Sequence, residues 1–342
     1  MNTDAQSDLL KTCASATNIY MTANYIEATD NFGVERRGKI EGIWKAFYEQ
    51  EVAARVKTDP KKSYDFTNAL NGYRYRCCLA NSNEGWGISM RQLPLSVPRL
   101  REDLQLDWSV IEPLMRGTGL ILFAGIMGSG KSTTMYSAID KMDKRERGNI
   151  TTIDDPIEII LPGHGVIQRE LNTHVESFPQ AIRDCMRQNR RTIVVSEIRD
   201  PETAMAAILA ASSGHKVLGT IHSDSATDTI PRMLTLLDDK YARLLSGTLR
   251  GLWWQNVIRF ADPTRKPVPV FESMEVTSAV RQIIQDGPQS YPLFAQEMKV
   301  QGRKTMQENA LAILGRNLAT RDELSDFLTR RGRINEEYAY RR

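Results

Sequence analysis

Short apolar runs alternate with segments of helical period through the second two-thirds of this chain. Gly119 to Ala124 (GLILFA) and Thr192 to Val195 (TIVV) are continuous apolar runs bounded by turn signals. So are Lys216 to Thr220 (KVLGT) and the stretch from Ile150 that leads into Asp154. Such runs predict buried strands. Between them, Lys131 to Asp140 reads as the first turns of a helix, and Asp200-Pro201-Glu202 opens another with an N-cap, a proline and an acid. Gly214 closes that second helix. Leu244, Leu245, Leu249, Leu252 and Trp253 fall at helical spacing and predict a core-facing helical stripe. A helix carrying Pro231 would be interrupted there. From Ser109 onward the alternation predicts a βα core with a largely parallel sheet.

The pattern before it differs. Short β-prone runs (ATNIYMTANYIEA, YRYRCCLA, GWGISMRQL) surround one helical stretch, Gly42 to Val56, and predict a small α+β domain. Two prolines and a charged patch in Pro94 to Leu106 predict a linker. The expected division is therefore 1–93, a linker at 94–108, and a core at 109–342. Thr320 to Leu328 reads as a short capped helix, and the charged tail after it as solvated.

A length of 342 residues fits about two domains. With 41% apolar and 25% charged residues the chain has the composition of a soluble globular protein. A net charge of +3 is too mild to imply a nucleic-acid partner. Cys13, Cys77, Cys78 and Cys185 lack metal-ligand spacing, which fits a reduced, cytoplasmic protein. The N-terminus has no secretory pattern, and no apolar stretch approaches the ~20 residues of a membrane helix. Membrane association is expected to be peripheral, through partners.

The chemistry concentrates where the strands end. Gly125-Ile-Met-Gly128-Ser129-Gly130-Lys131-Ser132 has complete P-loop spacing between a strand and a helix. Loop and helix N–H groups, extended here through Thr133, would cradle the phosphates of ATP. Lys131 would reach the β- and γ-phosphates, and Ser132 would offer its hydroxyl to Mg²⁺. The strand at Thr192 runs into Glu197, the acid a P-loop enzyme places beside Mg²⁺. Asp154, Asp155 and Glu158 follow another strand, and one of them would orient or deprotonate the attacking water. His215 and His222 flank the strand from Lys216, and His222 could donate to a phosphate oxygen.

Four blocks in this order, GIMGSGKSTT, TIDDPIE, TIVVSEIRDPET and SGHKVLGTIHSDSA, resemble the secretion-type ATPases of type II and type IV systems, most closely the PilT-like branch. The resemblance covers roughly residues 60 to 330 and continues through TLRGLWWQNVIRF and VFESMEVTSAVRQII. It implies a RecA-like P-loop core behind a PAS-like N-terminal domain. It also implies a homo-hexameric ATP-hydrolysing ring docked on an inner-membrane secretion or pilus platform, with no direct nucleic-acid partner. Arg74, Arg76 and Arg91 match the family's arginine fingers. Alternation sets Arg74 and Arg76 on one strand face. Asp154 stands where retraction motors usually carry Glu. That departure and the Trp253-Trp254 pair turn the resemblance toward the DotB/TraJ-like group of type IVB secretion and conjugation. The alternatives are a pilus retraction motor, a RecA-like nucleic-acid motor, and a slow, nucleotide-gated assembly protein.

Overall fold

In a computed structural model of the chain, the described residues are 16–30, 34–56, 63–260, 262, 264–325 and 327. They divide into two compact units. The first is Met1–Ser96 with Pro156–Ile160 and Ala261–Arg265, and the second is Val97–Asp155, Leu161–Phe260 and Lys266–Arg342.

The first unit is an antiparallel sheet with one helix. Its strands are β1 (Asn18–Thr22), β2 (Tyr25–Thr29), β3 (Glu35–Lys39), β4 (Tyr64–Leu70), β5 (Tyr73–Ser82) and β6 (Gly85–Leu93), in the order β3-β2-β1-β6-β5-β4. Asn71-Gly72 joins β4 to β5 with both residues at positive φ, the geometry whose twist suits a two-residue hairpin. Helix α1 (Gly42–Val56) buries Trp44, Phe47 and Tyr48, three residues that helical spacing brings onto one face. Along β5 the pleat buries Tyr75, Cys77 and Leu79 and turns Arg74, Arg76 and Cys78 to the other side.

The second unit contains α2 (Trp108–Met115), β7 (Gly119–Ala124), α3 (Lys131–Lys141), α4 (Lys144–Arg147), β8 (Ile150–Asp154), β9 (Val166–Glu170), α5 (Phe178–Arg187) and β10 (Thr192–Val195). It continues with α6 (Pro201–Ser212), β11 (Lys216–Ile221), α7 (Ala226–Leu237), α8 (Ala242–Thr248), β12 (Leu249–Ile258), β13 (Val268–Glu275), α9 (Ser278–Asp286), α10 (Leu293–Val300) and α11 (Met306–Gly315). The sheet order is β13-β12-β7-β11-β10-β8-β9, parallel except for the β12–β13 pair. Every residue of β7, β10 and β11 is buried, as helices on both faces of a parallel sheet require. The protein is thus α/β, with an antiparallel-sheet N-terminal unit and a parallel-rich core.

Three expectations need correction. The stripe from Leu244 is not one helix. Helix α8 ends at Thr248, and Leu249, Leu252 and Trp253 lie on β12. That strand runs between β7 and β13 with most of both faces buried, so its apolar positions imitate helical spacing without being helical. Pro231 does not interrupt its helix either, because α7 continues through it to Leu237. An interior proline costs roughly 3 kcal/mol. Burial of Ile230, Met233, Leu234 and Leu237 on the same helix offsets that. At the C-terminus the start of the expected helix shifts: Thr320 and Glu323 exchange capping hydrogen bonds, residues 321–324 form turns, Ser325 and Phe327 are helical, and Leu328 and the charged tail lie outside the described residues.

Candidate active site

The parallel sheet does the first sorting. Register pairs Ala124 with Ile221, Gly219 with Val195, and Val195 with Ile153, so β7, β11, β10 and β8 end along one edge. The P-loop leaves β7 there, His222 follows β11, Glu197 follows β10, and Asp154 ends β8. In an open α/β sheet this carboxyl edge is where ligands bind.

The loop's shape depends on its glycines. Gly125 has φ of 147°, and a Cβ there would collide with the Gln255 backbone oxygen and the Ser129 hydroxyl. Gly130, at φ 79°, is the N-cap of α3 and makes no side-chain cap, leaving the helix N-terminus to an incoming anion. Ser129 Oγ is buried without a hydrogen-bond partner among the described residues. Lys131 is only 8% exposed, and its Nζ reaches the Ile126 carbonyl at 3.4 Å, a long contact for an ammonium. Burial lowers its pKa, with Glu197 acting against that. A buried cation, an unpartnered hydroxyl and an uncapped helix start together fit a polyphosphate.

Opposite the loop, Glu197 and His222 meet at 3.1 Å between Oε1 and Nε2. The carboxylate alone would favour the charged imidazole. Burial, Lys131 and Arg232 outweigh it, so the pKa of His222 falls below its ordinary value. A neutral ring offers one N–H as a donor. Ile126, Met127, His222, Ser223, Asp224, Asp228 and Arg232 line an open cavity of about 480 Å³ between the P-loop and the histidine loop.

Asp154 is buried, and its carboxylate accepts hydrogen bonds from Tyr136 of α3 and from Thr152 Oγ1, the latter at 2.6 Å. Tyr136 lies on the helix that begins at Lys131, so the P-loop helix itself holds this acid. Among the described residues no group of three or more His, Cys, Asp or Glu could hold a metal ion. A Mg²⁺ at Ser132 and Glu197 would therefore take its remaining ligands from phosphate and water, which is this ion's habit.

Within the first unit, three arginines converge on one segment. Arg74 donates to the carbonyls of Ile157 and Glu158 at 2.8 and 2.9 Å. Arg76 and Arg91, directly paired across β5 and β6, both reach Glu158 Oε1, at 2.8 and 3.0 Å. Asp65, more than Glu158, raises the pKa of Arg76. Glu158, expected to polarise water, is here the common acceptor of the three arginines. His215 is also misplaced by sequence reasoning. It lies at the start of β11, with its ring near Ala210 and Ser213, and a six-residue strand separates it from His222 by about 20 Å. It does not belong to the nucleotide edge.

Three further residues touch the site without having been expected. Tyr136 holds Asp154, Gln255 Nε2 donates to the Ser129 carbonyl at 2.7 Å, and Arg259 donates to the Gly128 carbonyl at 2.7 Å.

The chain matches the type II/IV secretion system protein family over residues 88–324. It is 31% identical to a twitching motility protein of Neisseria gonorrhoeae over 288 residues, 81% of this chain and 72% of that protein. Against longer relatives the match is partial: the chain spans about a third of the type II secretion system protein E of Aeromonas hydrophila. The pilus retraction motor PilT, solved with bound ADP, superposes with a TM-score of 0.78 over 94% of this chain and 96% of that one, at 26% identity. The ATPase DotB of Legionella pneumophila shares the fold, with a TM-score of 0.75 at 21% identity over 95% of each chain.

Proposed function

The chain belongs to the type II/IV secretion system protein family, in the branch of PilT and DotB, and on that premise we propose that it hydrolyses ATP to power type IVB secretion or conjugative transfer. The observation that carries the ATPase reading is the carboxyl edge of the core. It gathers a buried lysine, an uncapped helix start, Glu197 bonded to His222, and a buried Asp154. The loop N–H groups from Gly128 to Thr133 and Lys131 hold the triphosphate. Ser132 and Glu197 would hold Mg²⁺, which would neutralise charge on the phosphate oxygens. Asp154 accepts a proton from the water that attacks the γ-phosphorus. The bond from that phosphorus to the β–γ bridging oxygen breaks, and ADP and phosphate leave. The His222 N–H that donates to Glu197 here turns to a γ-phosphate oxygen once the carboxylate is engaged elsewhere.

Arg74, Arg76 and Arg91 stabilise the developing charge from a neighbouring subunit of a homo-hexamer, exchanging Glu158 for phosphate. Arg suits this, being always charged and able to grip two oxygens. A mixing experiment tests it. Arg76→Ala keeps an intact nucleotide loop, and Lys131→Ala keeps an intact Arg76. Each is expected to be inactive alone, and a mixture of the two to recover ATP turnover. Mixtures as inactive as their components would remove the arginine from trans action.

No helix among the described residues is long and apolar enough to cross a membrane. Docking at the cytoplasmic face of an inner membrane would then run through platform proteins. Likeness to a twitching motility protein favours pilus retraction as the second reading. Deleting the gene in its host separates the two. Loss of substrate or DNA transfer with normal surface motility supports the first, and the reverse supports the second.

A further inference from the structure

Three consecutive residues of β12, Trp253, Trp254 and Gln255, are almost fully buried, and each is tied to a loop of the nucleotide edge or to a neighbour that is. Strand alternation puts Trp253 and Gln255 on one face and Trp254 on the other. On the first face the indole Nε1 of Trp253 donates to Gln255 Oε1 at 2.7 Å. An indole is a donor only, so this bond fixes which way the amide points. The amide nitrogen is left to donate to the Ser129 carbonyl at 2.7 Å, inside the P-loop. The Trp253 ring cannot easily swing, because it stacks on Phe271 with centroids 4.5 Å apart. The loop lies so close to Gln255 that a Cβ at Gly125 would strike its backbone oxygen, and one at Gly130 would press on its Nε2 at 3.0 Å.

On the other face Trp254 Nε1 donates to the carbonyl of Ser223 at 3.0 Å, the residue after His222. Directly across from Trp254 in β13 is Glu272, also buried. Its carboxylate accepts the first N–H of α7, from Ala226, and the first N–H of α11, from Met306, each at 2.8 Å. The histidine loop is therefore held at both ends, at Ser223 and at Ala226.

We propose that this Trp-Trp-Gln segment of β12 positions the two nucleotide-facing loops separately: Gln255, oriented by Trp253, sets the P-loop, and Trp254 sets the histidine loop. None of the three lines the cavity between the two loops, so they are positioning residues. The proposal rests on the ATPase reading, and it predicts a division that mere core packing would not produce. Disturbing the P-loop side should weaken ATP binding. Disturbing the histidine side should slow turnover at unchanged binding, because His222 is assigned to charge that develops during reaction.

The test uses the full chain and a fluorescent ATP analogue, with kcat, KM and thermal melting measured alongside. Gln255→Met keeps the volume and deletes the donor, leaving a buried carbonyl unpaired. Affinity is expected to fall roughly tenfold or more. Gln255→Glu should lose more, since it sets an acid beneath the phosphates. Trp253→Phe keeps the stack on Phe271 but frees the amide to turn, and should give a smaller loss in the same direction. Trp254→Phe should lower kcat with the analogue's affinity intact. Wild-type affinity in folded Gln255→Met and Trp253→Phe, or parallel losses of affinity and kcat in all four variants, would overturn the proposal. Absence of nucleotide binding in the wild-type chain would instead defeat the ATPase reading, and this proposal with it.

Discussion

Lys131→Ala is expected to weaken ATP binding and to abolish ATP turnover, since even one preorganised donor at a developing oxyanion is worth about 10²–10³-fold in kcat. The lysine is buried beside the Ile126 carbonyl, and no second cation among the described residues lies in the loop itself. Its removal leaves the highly charged ligand to backbone N–H groups, the helix dipole and the more distant Arg232 and Arg259. Those can still bind weakly, so residual affinity is compatible with the assignment, whereas residual turnover is not. Measuring both separates the loop's two duties. A variant that hydrolyses ATP at the wild-type rate would remove this loop from the site.

The second large effect concerns the carboxylates. Asp154→Asn is expected to lower kcat by roughly 10²–10⁴-fold, the range for a positioned general base, with ATP affinity retained. Asp154 is buried and already holds two hydroxyl donors. Tyr136 therefore orients the acid, and Tyr136→Phe should cost less than Asp154→Asn while moving kcat in the same direction. Glu158 is the competitor. In this structure it accepts from Arg76 and Arg91. If Glu158 were the water's base, Glu158→Gln would be severe and Asp154→Asn nearly silent. Steady-state kinetics of the two amide variants decide between them.

Much of the core was legible because its strands are apolar on both faces and end in chemistry. GLILFA, TIVV and KVLGT each became a buried strand, and the P-loop runs from one of them into a helix as its spacing implied. The N-terminal helix was readable to its ends, since Trp44, Phe47 and Tyr48 share a face. What failed did so for physical reasons. Leu249, Leu252 and Trp253 belong to a strand buried on both faces, where a period of two no longer shows. Pro231 reads locally as a breaker, but tertiary burial on α7 outweighs the missing hydrogen bond. His215 was grouped with His222 because both flank one strand, yet only one end of a parallel strand reaches the ligand edge. Gln255 was invisible because its partner Ser129 is 126 positions away in sequence. The convergence of three arginines on Glu158 is likewise a product of packing that no spacing rule contains.

Phosphate release from ATP and Mg²⁺ by the purified wild-type chain, followed across protein concentration, tests the central claim most directly. The account predicts release that rises more than linearly with concentration as rings assemble, and a Glu197→Gln variant that binds ATP but does not release phosphate. A wild-type chain that binds ATP tightly at every concentration and releases no phosphate would contradict it.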